Sequence, residues 1–182
     1  MKPTINSTED FKPNFSHKFF FDSNVWFYLL FPQYSKVSSI IISKYSSFFD
    51  QILNKGCLIE TTVLQISELV NLIHKIEQSN NENHSIRLLK LKDFLKSTDG
   101  KSAKEKAQTL VNTMLKSATL RQGNLTESEM LDLMNQISNA DFNDLCIAKH
   151  CEKESAILVT HDFDFNAVIF NLEIISANSN YF

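Results

Sequence analysis

The chain has 182 residues, 43% of them hydrophobic and 21% charged, and carries a net charge of −3. These values fit one soluble globular domain with a real core, and three Gly with three Pro are too few for an all-β protein rich in tight turns. Fifteen Phe predict an aromatic core, and three cysteines without C-x-x-C spacing (Cys57, Cys146, Cys151) argue against a zinc site or a disulfide framework. The first residues hold no apolar h-region, and the most apolar run, 25–31, is far below the ~20 residues that span a bilayer. A cytoplasmic protein with no membrane segment is expected.

Charge is unevenly spread. Residues 1–86 are nearly neutral, 87–121 hold nine basic and three acidic residues, and 122–182 hold two basic and ten acidic residues. A basic middle beside an acidic end suits a polyanion held over a metal site, and equally suits a solvated helical face beside an acidic surface.

Along the chain, 1–16 is polar with Pro3 and Pro13 and reads as a loosely docked tail. "HKFFFD" is a short buried strand, and "SNVWFYLLF" is a helix capped by Ser23 or Asn24 and stopped by Pro32. Apolar residues at three-to-four spacing predict a helix over 35–54, and "KGCLIE" a second strand. Thr62 and Gln65 form the signature of a capping box ahead of a helix striped with Val63, Ile66, Leu69, Val70, Ile73 and Ile76. After the polar loop 79–84, "SIRLLKLKDFLKS" predicts a further helix, "TDGKSAK" breaks it, and 103–120 and 127–137 are again helical. "SNADFND" opens a helix running through "LCIAKHCEKE", and "SAILVTHD" and "LEIISA" hold the last strands. Strands alternating with helices indicate an α/β protein with a mainly parallel sheet. The expected organisation is one domain over 17–182 with a helical elaboration at about 79–125.

Acids fall where such a sheet would gather them. Asp22 ends the first predicted strand directly after three phenylalanines, where an unpaired carboxylate is costly to desolvate. Asp162 follows "AILVTH", with Asp164 two residues on; Asp141 and Asp144 share the first turn of a helix; Glu68 lies in an otherwise apolar helix. Ligands of parallel sheets collect outside the carboxyl ends of the strands, so Asp22 and Asp162 can face one crevice. Taken singly, Asp141 also reads as an N-cap, Asp144 as a partner of the helix dipole, Glu68 as a solvated residue and Asp162 as the start of a turn. Taken together, converging carboxylates need a cation. Oxygen-only ligation suits Mg²⁺ or Mn²⁺, which can activate a water for attack on a phosphodiester.

"KFFFDSNVWFYLL", "LQISELVNLI", "DFNDLCIAKHC" and "AILVTHDFDF" resemble, in order, the signature segments of PIN-domain ribonucleases, and most nearly the VapC-type toxins of toxin–antitoxin pairs. The resemblance implies a three-layer α/β/α, Rossmann-like sandwich and endonucleolytic cleavage of RNA with Mg²⁺ or Mn²⁺. It makes Asp22, Glu68, Asp144 and Asp162 the catalytic metal ligands, with Asp141 and Asp164 auxiliary. It also implies a small antitoxin partner and a homodimer. Asn24 is expected at the substrate, Thr160 at a ligand or in a plain strand-end role, and the basic residues of 87–121, among them Lys101, Lys104 and Lys106, on the RNA backbone. Two departures stand out: His161 occupies a position where Asn is common, and 79–125 is extra helix. His161 is expected to be a loop residue or weak substrate contact, and His150 a surface or packing residue. The alternatives are a non-catalytic PIN-like binding module and another metal-dependent phosphohydrolase.

Overall fold

The structure, a computed structural model, describes residues 3–123, 125–137 and 140–182. Met1 and Lys2 of the expected tail, Asn124 of the elaboration, and Ser138 and Asn139 ahead of the "ADFND" helix lie outside the described residues.

Strands β1 (Thr4–Ser7), β2 (Lys18–Phe21), β3 (Leu58–Thr62), β4 (Thr119–Arg121), β5 (Ile157–Val159) and β6 (Glu173–Ser176) form one sheet in the order β1-β6-β5-β2-β3-β4. Every pairing is parallel. The longer helices are α1 (Ser23–Leu30), α2 (Ser39–Asn54), α3 (Val63–Ser79), α6 (Thr98–Ser117), α7 (Glu127–Met134) and α8 (Phe142–Glu154). Two single turns, α4 (His84–Arg87) and α5 (Leu91–Phe94), lie between α3 and α6.

The phenylalanine run explains the layering. Successive side chains of a strand point to opposite faces. Phe19 and Phe21 therefore enter a core with Trp26, Tyr45, Phe48, Ile73 and Met114, under α1, α2, α3 and α6. Phe20 enters the other core with Leu133, Leu145, Ala148, Phe165 and Ile174, under α7 and α8. All three are fully buried, worth about 2 kcal/mol each by area, so β2 is fixed from both faces. The α/β/α sandwich expected from the sequence is the observed fold.

Local differences have physical reasons. Thr4–Ser7, expected in a loose tail, pairs with β6 as an edge strand, and Phe11 packs edge-to-face on Phe19 and Phe48. Its polar sequence hides the strand because an edge needs little burial. "TDGKSAK" does not interrupt a helix; it begins one, capped by Ser97, whose Oγ accepts from the Gly100 N–H. Gly100 is there because a Cβ would stand 2.1 Å from the Phe94 carbonyl oxygen. The cap of α1 is Asp22 itself, not Ser23 or Asn24. Thr62 caps α3 as expected, but Gln65 does not close a box: its amide donates to the Phe21 carbonyl and its oxygen accepts from Thr61 at 2.6 Å. β4, exposed along its length, carries no apolar pattern to announce it.

Candidate active site

From β2 the chain moves outward to β3 and β4 on one side, then returns on the other side through β5 and β6. The carboxyl ends of β2 and β5 therefore flank the point where strand order reverses, the place where open parallel sheets leave a crevice. Asp22 follows β2 and Thr160 follows β5. Side chains from α1, α3 and α8 close the rest of a cleft of about 460 Å³, lined by Asp22, Asn24, Glu68, Asn143, Asp144 and Asp162, among others.

Asp22 is 6% exposed and its carboxylate is held by both oxygens. Oδ1 accepts from the Ser23 N–H at 2.6 Å, the capping bond of α1. Oδ2 accepts from the Thr160 hydroxyl at 2.7 Å. Thr160 Oγ1 in turn accepts from the Asp162 N–H at 2.9 Å, and Asp162 Oδ1 accepts from the Asp164 N–H at 3.0 Å. Tyr181 adds a hydroxyl bond to the Asp162 carbonyl. On the other wall, the Ser23 hydroxyl donates to Glu68 Oε2 at 2.8 Å, tying α1 to α3 across the cleft.

These carboxylates are electrostatically uncomfortable. Burial pushes the Asp22 carboxyl up to about 7 against the help of the Thr160 bond, and the charges of Glu68 and Asp162 push the same way. Asp144 is also raised to about 7, by burial first and then by Asp22, Asp162, Asp141 and Glu68. Such mutual repulsion is what a bound cation relieves. Among the described residues, however, no group of three or more His, Cys, Asp or Glu side chains is arranged to hold a metal ion. Each Asp22 oxygen accepts one bond, from Ser23 or Thr160, and Glu68 Oε2 accepts one from Ser23, which leaves lone pairs on both carboxylates.

The other expected site residues are placed as follows. Asp141 is exposed and caps α8 through a 2.8 Å bond from the Asn143 N–H; it lines no part of the cleft, though its charge reaches Asp144. Asp164 is exposed and opens a short 3-10 turn. Asn24 lines the cleft and its Oδ1 accepts from the His161 N–H at 3.3 Å. Thr160 is fully buried and its hydroxyl donates to Asp22. Lys101, Lys104 and Lys106 sit exposed on α6 and do not line the cleft, and Lys106 is tied to Glu77 at 2.6 Å. His161 packs against Tyr28 and Tyr45, and Nδ1 lies 3.1 Å from the Tyr45 hydroxyl, which donates to the Thr160 carbonyl at 2.8 Å. His150 is buried against Phe20.

Sequence reasoning missed Lys75, which lines the cleft, and the work of Ser23 on Glu68. A signal for Lys75 was present: Glu68, Asn71 and Lys75 recur at helical spacing along α3. No helix among the described residues is long and apolar enough to cross a membrane.

No protein-family model matches the chain, and no curated protein does. Among solved structures it is similar to a chain of VapBC2 from Rickettsia felis, crystallised bound to a DNA fragment from their promoter. The TM-score is 0.56 and the identity 16%, over 86% of this chain and 96% of that one. PAE2754 from Pyrobaculum aerophilum is similar at a TM-score of 0.49 and 16% identity, over 93% and 92% of the two chains. The likeness to the VapBC2 chain is one of architecture: this chain has a PIN-like, VapC-type α/β/α fold.

Proposed function

We propose that the protein is a metal-dependent endoribonuclease of the PIN type and the toxin of a toxin–antitoxin pair. One observation carries the proposal: Asp22, Glu68, Asp144 and Asp162, from four separate elements, line one cleft at the switch point of a parallel sheet. The donor set is all oxygen, and burial first and the neighbouring carboxylates second raise Asp22 and Asp144. That chemistry fits Mg²⁺ or Mn²⁺, with Asp22, Glu68, Asp144 and Asp162 as the holders. When bound, such an ion supplies Lewis acidity at a phosphodiester oxygen and a more acidic water.

The chain's own residues set the stage for it. Thr160 and the Ser23 N–H fix the Asp22 carboxylate, and Ser23 fixes Glu68, so the two walls keep one geometry while substrate enters. Asn24 is held toward the cleft through the His161 backbone, and its amide, which donates to no group among the described residues, can donate to a phosphate or sugar oxygen. A small antitoxin that places an Arg or Lys among the carboxylates is the electrostatically natural inhibitor. The VapBC2 assembly of the similar structure supports looking for one, and for a homodimer.

The test is cleavage of single-stranded RNA with Mg²⁺ or Mn²⁺ by wild type and Asp22→Asn. Cleavage by the wild type, reduced at least ~100-fold in the variant, is expected. Equal activity in both sinks the proposal. Among the described residues no three acids form a ready-made cage, and this observation favours a non-catalytic PIN-like module. Wild type that neither cleaves RNA nor binds Mn²⁺ by calorimetry would establish that reading instead.

A further inference from the structure

Six residues of α3 line the cleft, at positions 64, 67, 68, 71, 72 and 75, one continuous face of the helix. On this face Glu68 stands among the acids and Lys75 ends the row, about 10 Å further along the helix axis. Among the described residues, Lys75 is the only basic side chain lining this cleft and makes no ion pair. It is exposed. Cations on the neighbouring helix are placed differently: Lys106 is committed to Glu77, and Lys101 and Lys104 do not line the cleft.

A cleft floored with carboxylates repels a polyanion unless a cation guides it. An ammonium beside the acids would neutralise them; one two turns away leaves them free and meets a different part of the ligand. From this spacing we infer that Lys75 is a substrate-positioning residue, contacting a backbone phosphate of single-stranded RNA next to the one presented to Asp22, Glu68, Asp144 and Asp162. The inference rests on the nuclease reading above for the identity of the strand. Leu72 between them gives a ribose or base an apolar surface, and Asn71 adds a neutral donor on the same face. The substrate then runs along α3, not over the basic surface of α6.

The experiment measures binding of a fluorescein-labelled single-stranded RNA by anisotropy across a salt series, for wild type, Lys75→Ala, Lys75→Arg and the double variant Lys101→Ala/Lys104→Ala. Lys75→Ala is expected to weaken binding several-fold and to make the slope of log affinity against log salt shallower by about 0.7, the loss of one phosphate contact on a single strand. Lys75→Arg restores both, and the α6 double variant changes them less than Lys75→Ala. Mn²⁺ affinity by calorimetry stays within twofold in Lys75→Ala. Unchanged binding and slope in Lys75→Ala, or a larger loss in the α6 variant, overturns the assignment. So does tighter Mn²⁺ binding with no effect on RNA, which would make Lys75 a shield for the acids. Wild type that binds RNA with the expected dependence on Lys75 but does not cut it overturns the nuclease reading alone; wild type that binds no RNA overturns both.

Discussion

Two buried acids, one in β3 and one just past the neighbouring β2, meet opposite fates. Glu60, in β3, is fully buried on the α8 side of the sheet and beside Phe20 in the register. Its Oε1 takes the Arg121 Nε–H at 2.9 Å, and Oε2 lies 3.5 Å from His150 Nε2. Asp22, just past β2, is nearly as buried but receives only hydrogen bonds, from Ser23 and Thr160, and faces further carboxylates. The first acid brings its own cation and ties β3 to β4 and α8. Among the described residues the second forms no ion pair, and burial pushes its carboxyl up to about 7. A buried charge that the fold itself neutralises is a structural tie, whereas one left to repel its neighbours is a candidate for a functional site.

Breaking the two acids should therefore move stability in opposite directions. Asp22 titrates near 7 in the folded chain and near its ordinary 3.8 when unfolded, so the folded state binds the proton more tightly. Its contribution is complete below the unfolded value and is lost as pH rises toward and past 7. Metal-free Asp22→Asn should then be more stable than wild type at pH 8, by up to about 4 kcal/mol, with the gain vanishing toward pH 4. Urea denaturation at the two pH values measures it, and a variant less stable than wild type at pH 8 would erase the contrast.

Glu60→Ala should do the reverse, costing about 3 kcal/mol in the same assay because His150 and the Arg121 guanidinium lose their shared partner. A loss below about 1 kcal/mol would show that the exposed half of Arg121 is satisfied by water. Mn²⁺ sharpens the comparison further. At about 100 times its dissociation constant it should stabilise wild type by about 2.7 kcal/mol, and Asp144→Asn by much less, while Glu60→Ala should keep the full response. Differential scanning calorimetry with and without Mn²⁺ reads this out.

The smallest effect expected is at Thr160→Val, which keeps volume and removes the hydroxyl on Asp22 Oδ2. RNA cleavage should fall about 10-fold and its acid limb should move to higher pH, since the lost bond was holding the Asp22 carboxyl down. A rate and pH profile identical to wild type would mean that Ser23 alone positions Asp22.

How much of this could be read in advance varies residue by residue. Asp22 was legible because a carboxylate directly after a buried strand has few structural uses, and Asp162 because it follows another such strand. Glu60 was not, since "CLIE" shows a strand ending in an ordinary acid, and its partners lie 61 and 90 residues away in sequence. Thr160 was open between a ligand contact and a plain strand-end role, and its bond to Asp22 Oδ2 could not be read from the sequence. The basic segment 87–121 advertised itself by composition, yet composition cannot say which side of a helix looks into a cleft. Lys75, an isolated cation in an apolar helix, lines the acid cleft and Lys101, Lys104 and Lys106 do not.

By itself the sequence determined the layers: alternating strands and helices, a β2 buried on both faces through Phe19, Phe20 and Phe21, and the caps at Thr62 and Asp141. These depend on neighbours within a turn or a pleat, so local chemistry is enough. Only the tertiary structure decided which charges meet, because strand order brings Asp22 beside Thr160 and Glu60 beside Arg121 across long stretches of chain. Whether a buried carboxylate finds a guanidinium or other carboxylates is a matter of a few ångströms between distant residues, and that distance is a property of the fold.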